Sequence, residues 1–401
     1  MQEERTNVPK IRFKGYAEDW EERKVGDFLK ESKIKGTDGS IAKKLTVKLW
    51  RKGVIAKEEI YSGSSATQYY IRKAGQFMYG KLDFLNQAFG IVPPELDGYE
   101  STLDSPAFDI GKNMNAIFLL EYISLVRFYK YQGTIANGSR KAKRIHVDTF
   151  LEMPLLVPSF KEQQKIGTFF KQLDDTIALH QRKLDLLKQT KKSYLQKMFP
   201  KKGEDKPEIR FAGFTDAWEQ RKLASMTNYK NGKGHEDKQS TIGKLELINL
   251  NSISISGGLK HSGKFIDEAD DTLQKDDLVM ILSDVGHGDL LGRVALIPED
   301  DRFVLNQRVA LLRPNATADP QFLFSYINAH QYYFKAQGAG MSQLNISKGS
   351  VENFISFVPI IEEQKKIGTF FKQLDDTIAL HQRELDSLKE MKKSLLQQMF
   401  V

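Results

Sequence analysis

A segment of 18 residues occurs twice in this chain, and the repeat restricts the possible folds more than any other feature. The sequence KIGTFFKQLDDTIALHQR runs from Lys165 to Arg182 and recurs without change from Lys366 to Arg383, 201 residues later. The likeness continues outward, with 31 identities in the 38 positions from Glu162 to Phe199 and from Glu363 to Phe400. Such agreement between two parts of one chain indicates a duplication.

A weaker likeness marks the start of each half. Residues 9–25 (PKIRFKGYAEDWEERKV) and residues 207–223 (PEIRFAGFTDAWEQRKL) are identical at nine of 17 positions. Between these repeated segments, residues 26–158 and 224–359 show little identity. The chain is therefore predicted to hold two tandem units of about 200 residues, in which repeated ends enclose different centres.

Each repeat has the residue pattern of a coiled-coil helix. In a heptad frame nearly all a and d positions are apolar or aromatic, and one histidine and one lysine interrupt each copy. A helix of 38 residues would be about 57 Å long and must bury its apolar stripe against a partner. The predicted seam residues are Ile166, Phe170, Leu173, Ile177, His180, Leu184 and Leu187 in the first copy and Ile367, Phe371, Leu374, Ile378, His381, Leu385 and Leu388 in the second.

The most direct partner for each long helix is the other copy. Because the two ends of a compact domain often lie close together, we expect the second helix to start where the first one ends and to run antiparallel to it. Symmetric pairing about the helix midpoints then places Lys191 level with Asp375 and Lys392 level with Asp174. The polar seam residues fit two interpretations: they fix the register of pairing, or they are packed histidines and lysines whose amines reach solvent.

The composition is that of an ordinary globular protein. Of its 401 residues, 40% are hydrophobic and 28% are charged, so both halves are expected to fold around their own cores. The chain has no cysteine, which excludes disulfides and cysteine-based zinc sites. The first residues lack the apolar core of a signal peptide, and no apolar run of 18 residues occurs. These features predict a cytoplasmic protein with no membrane segment.

The repeats predict four segments and a fold class. The class is α/β in the mixed α+β sense, with two similar globular domains separated by two long antiparallel coiled-coil helices in a pseudo-twofold tandem repeat. The segments are a first globular domain (1–160), a first spacer helix (161–200), a second globular domain (201–361, with its linker at 200–208) and a second spacer helix (362–401). Their formal net charges are +5, +5, −2 and 0, and an excess in the first half is a weak sign of an anionic partner such as nucleic acid.

Two motifs in these segments carry a family resemblance. The halves open with the pattern PxIRFxG followed by WExRK, and each long helix begins after a Val-Pro pair, at Val157-Pro158 and Val358-Pro359, with Glu-Gln four residues after the proline. Together with the 201-residue repeat, these motifs make the chain resemble the specificity (S) subunit of type I restriction-modification systems. The resemblance covers essentially the whole chain.

The resemblance implies a function for each segment. Each globule would be a target-recognition domain that reads one half of a bipartite target in double-stranded DNA, and the helices would set the gap between the halves. Two methyltransferase subunits would dock on the chain, and restriction subunits would join the same complex. The chain itself would be non-catalytic and hold no cofactor, with S-adenosylmethionine, ATP and Mg²⁺ on the partner subunits.

Residues of catalytic type form no supported site in the sequence. The glycine-rich stretch 284–292 follows an apolar strand, but the residues after it are predicted as a strand, which indicates a hairpin and not a nucleotide-binding loop. No Asp- or Asn-Pro-Pro-aromatic loop of a DNA methyltransferase, no HxxxH pair and no Gly-Lys-Ser/Thr loop occurs. The pairs Asp174-Asp175 and Asp375-Asp376 would point in different directions on a helix, so we interpret them as solvated charges.

Candidate DNA-contacting residues are clusters of basic and amide side chains, which suit phosphates and base edges. In the first domain they are Lys43, Lys44, Arg51, Lys52, Arg72, Lys73, Arg140, Lys141, Lys143 and Arg144; in the second they are Lys233, Asn306, Gln307, Arg308, Gln343, Asn345 and Lys348. Two other functions remain possible from the residues alone. One is a bipartite DNA-binding regulator that acts without a methyltransferase, and the other is a coiled-coil scaffold that binds only protein.

Overall fold

The computed structural model describes residues 7–58, 63–134, 137–139, 142–201, 203–235, 237–285, 288–340 and 343–401, with the side chains of 137–139, 142 and 143 outside that description. Contacts group the chain into two units. Unit 1 comprises Met1–Gln181 and Glu384–Val401, and unit 2 comprises Arg182–Arg383.

Unit 1 is built from short strands, three short helices and parts of two long ones. Its strands are β1 (Glu21–Lys24), β2 (Leu29–Ser32), β3 (Lys35–Asp38), β4 (Leu45–Val47), β5 (Val54–Ala56), β6 (Gln68–Ile71), β7 (Phe77–Tyr79), β8 (Phe89–Ile91), β9 (Glu100–Ser101), β10 (Ala107–Ile110), β11 (Asn137–Ser139), β12 (Ala142–Arg144) and β13 (Pro154–Val157). Its helices are α1 (Ala116–Ile123), α2 (Val126–Gly133), α3 (Val147–Leu151) and the first part of α4 (Phe160–Lys197).

Unit 2 repeats this arrangement. Its strands are β14 (Glu219–Lys222), β15 (Thr227–Asn231), β16 (Leu245–Ile248), β17 (Phe265–Ile266), β18 (Leu278–Ile281), β19 (Ser283–Asp284), β20 (Val294–Leu296), β21 (Phe303–Leu305), β22 (Val309–Pro314), β23 (Leu344–Asn345) and β24 (Ile355–Val358). Its helices are α5 (Pro320–Ala329), α6 (Gln331–Gln337), α7 (Lys348–Glu352) and the first part of α8 (Ile361–Met399), which ends in unit 1.

The main sheet of each unit has four antiparallel strands in the same order. In unit 1 the order is β2–β10–β7–β8, and in unit 2 it is β15–β22–β18–β20. One central strand of each sheet is buried on both faces, since every residue of β7 (FMY) and of β18 (LVMI) is buried. A second pairing is also repeated, because the first strand of each unit lies antiparallel to the strand that precedes the long helix, as β1–β13 and β14–β24.

The outer parts of the two units differ. Unit 1 has a three-stranded sheet β3–β6–β9 and the two hairpins β4–β5 and β11–β12. Unit 2 has a mixed sheet β17–β16–β21, in which β16 and β21 are parallel, and a small pair β19–β23. These elements come from the segments that show little identity between the halves.

Within each unit, parts of the two long helices run antiparallel. In unit 1, Phe170 of α4 lies 5.8 Å from Phe400 between ring centroids, and Asp174 accepts a 2.6 Å hydrogen bond from Lys392. The numbers rise along α4 as they fall along α8, which defines the direction. Unit 2 has the same arrangement, with Phe371 stacked on Phe199 and Lys191 bonded to Asp375.

The mixed fold class and the two Lys–Asp contacts are confirmed. The hairpin prediction for the glycine-rich stretch is confirmed as well, because β18 pairs antiparallel with β20 and no helix follows the turn among the described residues. The four-segment division stays a prediction, since contacts divide each long helix between the units.

The seam positions of both helices are shielded from solvent to different degrees. Each of the 14 predicted seam residues is buried or half-buried. The fully buried positions are Ile166, Phe170, Leu184, Ile367, Phe371 and Leu385. The outermost of these are also part of the globular cores, so each long helix is packed against its globule at one end.

Candidate nucleic-acid interface

A buried ion pair joins the two repeated motifs of unit 1. Arg12, from the opening motif, donates through Nε and Nη2 to the two carboxylate oxygens of Glu162 at 2.7 and 2.8 Å. Glu162 lies in the first turn of α4 and is completely buried. The hydrogen bond to Glu162 raises the pKa of Arg12, and two parallel charge-assisted bonds fix both the distance and the orientation of the helix start.

The residue after Glu162 fixes the same helix start to α1. The side-chain amide of Gln163 donates to the Pro158 and Asn113 carbonyls, and its oxygen accepts from the Asn115 backbone N–H. Asn115 in turn caps α1 by accepting from two backbone N–H groups. Gln163 therefore satisfies buried polar groups at the junction of three segments.

A glycine in the repeated segment makes this packing possible. A Cβ on Gly167 would overlap the side-chain oxygen of Asn115, the N-cap of α1. The same is true of Gly368 and Asp319, the N-cap of α5. Only glycine allows α4 and α8 to approach these caps so closely, which explains its presence in both copies.

Unit 2 repeats the whole joint. Arg210 donates through Nε and Nη2 to Glu363 at 2.8 and 2.7 Å, and Glu363 is fully buried. Gln364 donates to Pro359 and Thr317 and accepts from the Asp319 backbone N–H. In the sequence, Arg12 and Arg210 stand out only as part of the opening motif. Each half repeats both this arginine and the Glu-Gln pair at the helix start, and this joint repetition is the sequence signal that could have predicted the Arg–Glu ion pair.

In unit 1 an ionic network connects the helices with the β4–β5 hairpin. Glu121 of α1, whose side chain is 1% exposed, accepts from Arg51 at 2.7 and 2.6 Å and from Lys392 at 3.2 Å. Lys392 also donates to Asp174. Burial disfavours the ionised form of Glu121, but the hydrogen bonds and charges of Arg51 and Lys392 outweigh this effect and hold its pKa below the usual range.

Unit 2 has only part of this network. Lys191 bonds to Asp375 at 2.5 Å, as Lys392 bonds to Asp174. The position that corresponds to Glu121, six residues after the helix N-cap, is Ser325. The connection from the long helices to the β4–β5 hairpin is therefore specific to unit 1, because it depends on Glu121 and Arg51, which lie outside the repeated segments.

Three basic residues predicted to contact DNA are turned away from solvent in unit 1, and this corrects the prediction. Arg72 is 0% exposed and donates to the Ser32 carbonyl and to Ser101. Burial lowers its pKa to about 10, so it stays protonated at neutral pH while it holds these strands together. Lys44 is buried, and Arg51 uses its guanidinium for Glu121. Arg72 and Lys44 are thus buried, and the Arg51 side chain, which is 20% exposed, is committed to Glu121.

The remaining candidates of unit 1 lie at the surface or outside the described residues. Lys43, Lys52 and Lys73 are exposed. Arg140 and Lys141, and the side chain of Lys143, lie outside the described part of the chain. The exposed Arg144 ends the β11–β12 hairpin and forms an ion pair with Asp104 at 3.1 Å.

The candidates of unit 2 cluster around one end of its main sheet. Lys233 follows β15 and forms a backbone bridge with Asn306, and the exposed Gln307 and Arg308 complete the turn between β21 and β22. Asn306 itself is buried and accepts from the Gln307 backbone N–H, so its side chain is turned inward, contrary to the prediction.

A second strand pair brings further candidates to the same end of the sheet. The Arg308 carbonyl accepts from the Leu282 N–H, and the next residue, Ser283, bonds to Asn345 of β23. Gln343 is half-buried beside it, and the exposed Lys348 lies 5.4 Å from the Tyr229 ring of β15. The exposed cations and amides near this end of the sheet are of the types that bind phosphates and base edges.

The family model of the type I restriction modification DNA specificity domain matches residues 106–189 and 215–390, which together exceed half of the chain. The chain belongs to this family. The match covers parts of both halves, including the repeated helices.

Individual relatives of the specificity family agree with this assignment. The chain is similar to the type I restriction enzyme MjaVIII specificity subunit of Methanocaldococcus jannaschii, with 22% identity over 421 aligned residues covering 94% of this chain and 91% of the relative. Its fold is similar to that of the type I restriction-modification system S subunit from M. genitalium, with a TM-score of 0.65, 14% identity and 98% and 99% of the two chains covered.

A third similarity concerns a chain from a structure of complex assembly and conformational transition of the type I R-M system. The TM-score is 0.54 at 13% identity, with 95% of this chain and 97% of that chain covered. The resemblance inferred from the repeated motifs is thus confirmed, and the solved structures share the fold.

The acidic pairs of the long helices in this specificity-family chain serve separate ion pairs. Asp174 faces Lys392, whereas Asp175 accepts from Lys171 at 2.6 Å, one turn away on the same helix. Asp376 likewise pairs with Lys372. The neighbouring carboxylates therefore diverge and do not converge on one atom. Among the described residues, no helix combines the length and apolar character needed to cross a membrane.

Proposed function

We propose that this chain is the DNA-binding specificity subunit of a type I restriction-modification complex, with one half of a bipartite target recognised by each globule. The observation that carries the proposal is a contrast between contacts that recur in both units and surface elements that differ between them. The contacts that join globule and helix, Arg12–Glu162 and Arg210–Glu363, recur atom for atom. The outer hairpins and turns that bear exposed cations differ between the units.

The division of labour within the complex follows from the same contrast. Repeated helices offer equivalent surfaces to equivalent partners, which supports two methyltransferase subunits, one for each copy. Restriction subunits join the same assembly. Catalysis then belongs to the partners, together with S-adenosylmethionine, ATP and Mg²⁺, and this chain contributes target choice. The cytoplasmic location expected from the sequence remains a prediction.

The proposal is tested by co-expressing the chain with its methyltransferase subunit in a host that lacks adenine methylation. Sequencing that detects N6-methyladenine should show modification at one bipartite motif with a constant gap. The methyltransferase alone should leave no such motif. Methylation that is absent, or that does not depend on this chain, would overturn the proposal.

A matched variant tests the assignment of one half-site to each globule. Replacing residues 224–359 with a second copy of residues 26–158 keeps both repeated ends, and it should change the motif to two copies of a single half-site. A regulator that acts without a methyltransferase predicts a different result, in which the wild-type chain binds duplex DNA specifically but directs no methylation. A protein-only scaffold predicts no salt-dependent binding to DNA.

A further inference from the structure

One tryptophan of the chain is displayed to solvent, and its position is unusual for that residue. Trp20 and Trp218, from the repeated opening motif, are 1% and 3% exposed and belong to the two cores. Trp50 is 56% exposed and lies at the tip of the β4–β5 hairpin in unit 1. No counterpart exists in the second half, because the chain has only these three tryptophans.

The turn that displays Trp50 is strained. Trp50 and Arg51 both have a φ of 57°, and the Lys52 N–H donates to the Leu49 carbonyl, which together define a two-residue turn with left-handed central residues. Such turns favour Asn-Gly, because a bulky side chain is disfavoured at positive φ. A tryptophan at this position indicates that its display at the tip is useful enough to offset the strain.

The rest of unit 1 holds the strained turn in place. The Trp50 and Arg51 N–H groups donate to the Asn86 and Gln87 carbonyls at 2.8 and 3.0 Å. The two Nη atoms of Arg51 donate to the two oxygens of the buried Glu121 carboxylate. The tip is therefore rigid, and the indole is presented without the entropy loss that a mobile loop would suffer on binding.

The segment that carries Trp50 is rich in basic residues. Residues 40–57 contain six basic residues and no acidic one. Arg51 and Lys44 are directed inward, whereas Lys43, Lys48 and Lys52 are exposed on the hairpin, and Leu49 is exposed beside Trp50. An apolar tip on a segment whose own charged residues are all basic suits a polyanion with apolar surfaces, and duplex DNA has both.

We propose that the tip of the β4–β5 hairpin enters a groove of the duplex in the half-site of unit 1, where the Trp50 ring packs against the bases. The inference rests on the proposed function and deepens it by naming a specificity-determining contact. In the grooves of duplex DNA, apolar side chains contact thymine methyl groups or insert between base steps. The flanking lysines contact the phosphates on either side and position the ring.

Tryptophan fluorescence reports this contact directly. The emission of the full chain is measured while a duplex carrying its target is added, and the same titration is done with Trp50→Phe. The difference between the two chains isolates Trp50, because the buried Trp20 and Trp218 are present in both. The wild-type chain should show a change in emission on binding the target, and the Phe variant should bind with little change.

Affinity and stability measurements separate binding from folding. Trp50→Asn should weaken binding to the target by roughly tenfold to a hundredfold with an unchanged salt dependence, since the variant removes the packing of one ring and keeps every phosphate contact. Because asparagine tolerates positive φ, the same variant should melt at or above the wild-type temperature. Tyr332→Ala removes an exposed aromatic ring from unit 2 and should leave DNA affinity unchanged.

Each other outcome has a definite meaning. If the wild-type chain binds the target but Trp50→Asn binds equally well and emission does not change, the inference is wrong while the proposed function stands. If the emission changes when the methyltransferase subunit is added without DNA, Trp50 is a protein contact and the inference is also wrong. If the wild-type chain binds no duplex, the proposed function is wrong, and the inference that rests on it is wrong as well.

Discussion

The Lys392 ammonium lies 2.6 Å from an oxygen of Asp174 and 3.2 Å from an oxygen of Glu121. The Lys392 side chain of α8 thus links Asp174 of α4 to Glu121 of α1, which belongs to the globule of unit 1. Glu121 is almost completely shielded from solvent, so its charge depends on Lys392 and Arg51 for compensation. Lys191, at the same heptad position in the other copy, has the equivalent partner Asp375, but the residue of unit 2 that corresponds to Glu121 is Ser325.

This difference predicts unequal effects of the same substitution. Lys191→Met should lower the free energy of unfolding by at most about 1 kcal/mol, since it removes one half-exposed ion pair. Lys392→Met should lower it by about 1–3 kcal/mol, because a buried carboxylate loses part of its compensation. Urea unfolding of the two variants measures both values. Equal losses would contradict the proposed role of Glu121.

The repeated arginines are predicted to be essential for stability. Arg12→Met leaves the buried Glu162 without its bidentate partner, and a broken buried pair typically lowers the free energy of unfolding by about 3–5 kcal/mol. Arg12→Lys should fall between this variant and wild type, because an ammonium cannot match both carboxylate oxygens. Arg210 variants should behave in the same way in unit 2. Substitution of the exposed Lys10 by Met, measured by the same unfolding experiment, provides the control.

Neutralising the basic hairpin of unit 1 should weaken binding to all sequences alike. Replacement of Arg140, Lys141, Lys143 and Arg144 by Gln should remove the phosphate contacts predicted for these residues, and the slope of log affinity against log salt should become shallower by about 0.9 for every phosphate that they no longer neutralise. Filter-binding or gel-shift titrations over a range of salt measure the slope. A slope equal to that of the wild type would show that these four residues do not contact DNA phosphates.

Unit 2 is predicted to lose stability in mildly acidic solution because of His330. Burial lowers the pKa of this imidazole below its usual 6.5, although a hydrogen bond with the Tyr326 carbonyl opposes the effect. The unfolded chain therefore takes up the proton at a higher pH than the folded chain does. The free energy of unfolding should be steady above pH 6.5 and should fall as the pH decreases from 6.5.

The variant His330→Gln provides the test of this pH dependence. Glutamine is neutral at every pH and can also donate to a carbonyl, so the variant should lose the decrease below pH 6.5. Unfolding is followed by circular dichroism between about pH 5 and pH 8. A variant that retains the wild-type decrease would show that another group is responsible.

Shortening both long helices should change the spacing of the target and not its bases. A matched deletion of seven residues from each helix preserves the heptad register. Methylation mapping of the deletion variant should show the same half-sites with a different gap, or no methylation. New half-site sequences would contradict the proposal that the globules recognise the bases and the helices set only the gap.

The parts of the fold that could be predicted from sequence are those fixed by repetition. The heptad pattern and the duplication together predicted the contacts of Lys191 and Lys392 with aspartates, because an antiparallel pair of equal helices has one symmetric register. No pattern distinguished the buried Arg72 from its exposed neighbour Lys73. A charged residue is buried only where tertiary structure supplies its partners, here Ser32 and Ser101.

The strained turn of Trp50 lay outside sequence prediction for a different reason. Turn propensities favour Asn-Gly at this geometry, so the letters Trp-Arg argue against the turn that forms. Long-range contacts with Glu121, Asn86 and Gln87 impose it. Local preferences are weakest where tertiary contacts set the conformation, and such positions are frequently functional.

The recurrence of the Arg–Glu joint, the glutamine after it and the close-contact glycine has an evolutionary consequence. These three contacts between globule and long helix use the same residue types in both halves, so a foreign globule that carries the arginine of the opening motif could form the same joint with either helix. If each globule reads one half-site as proposed, exchange of a whole globule would change the target in one step, whereas point mutation would alter the reading surface one side chain at a time.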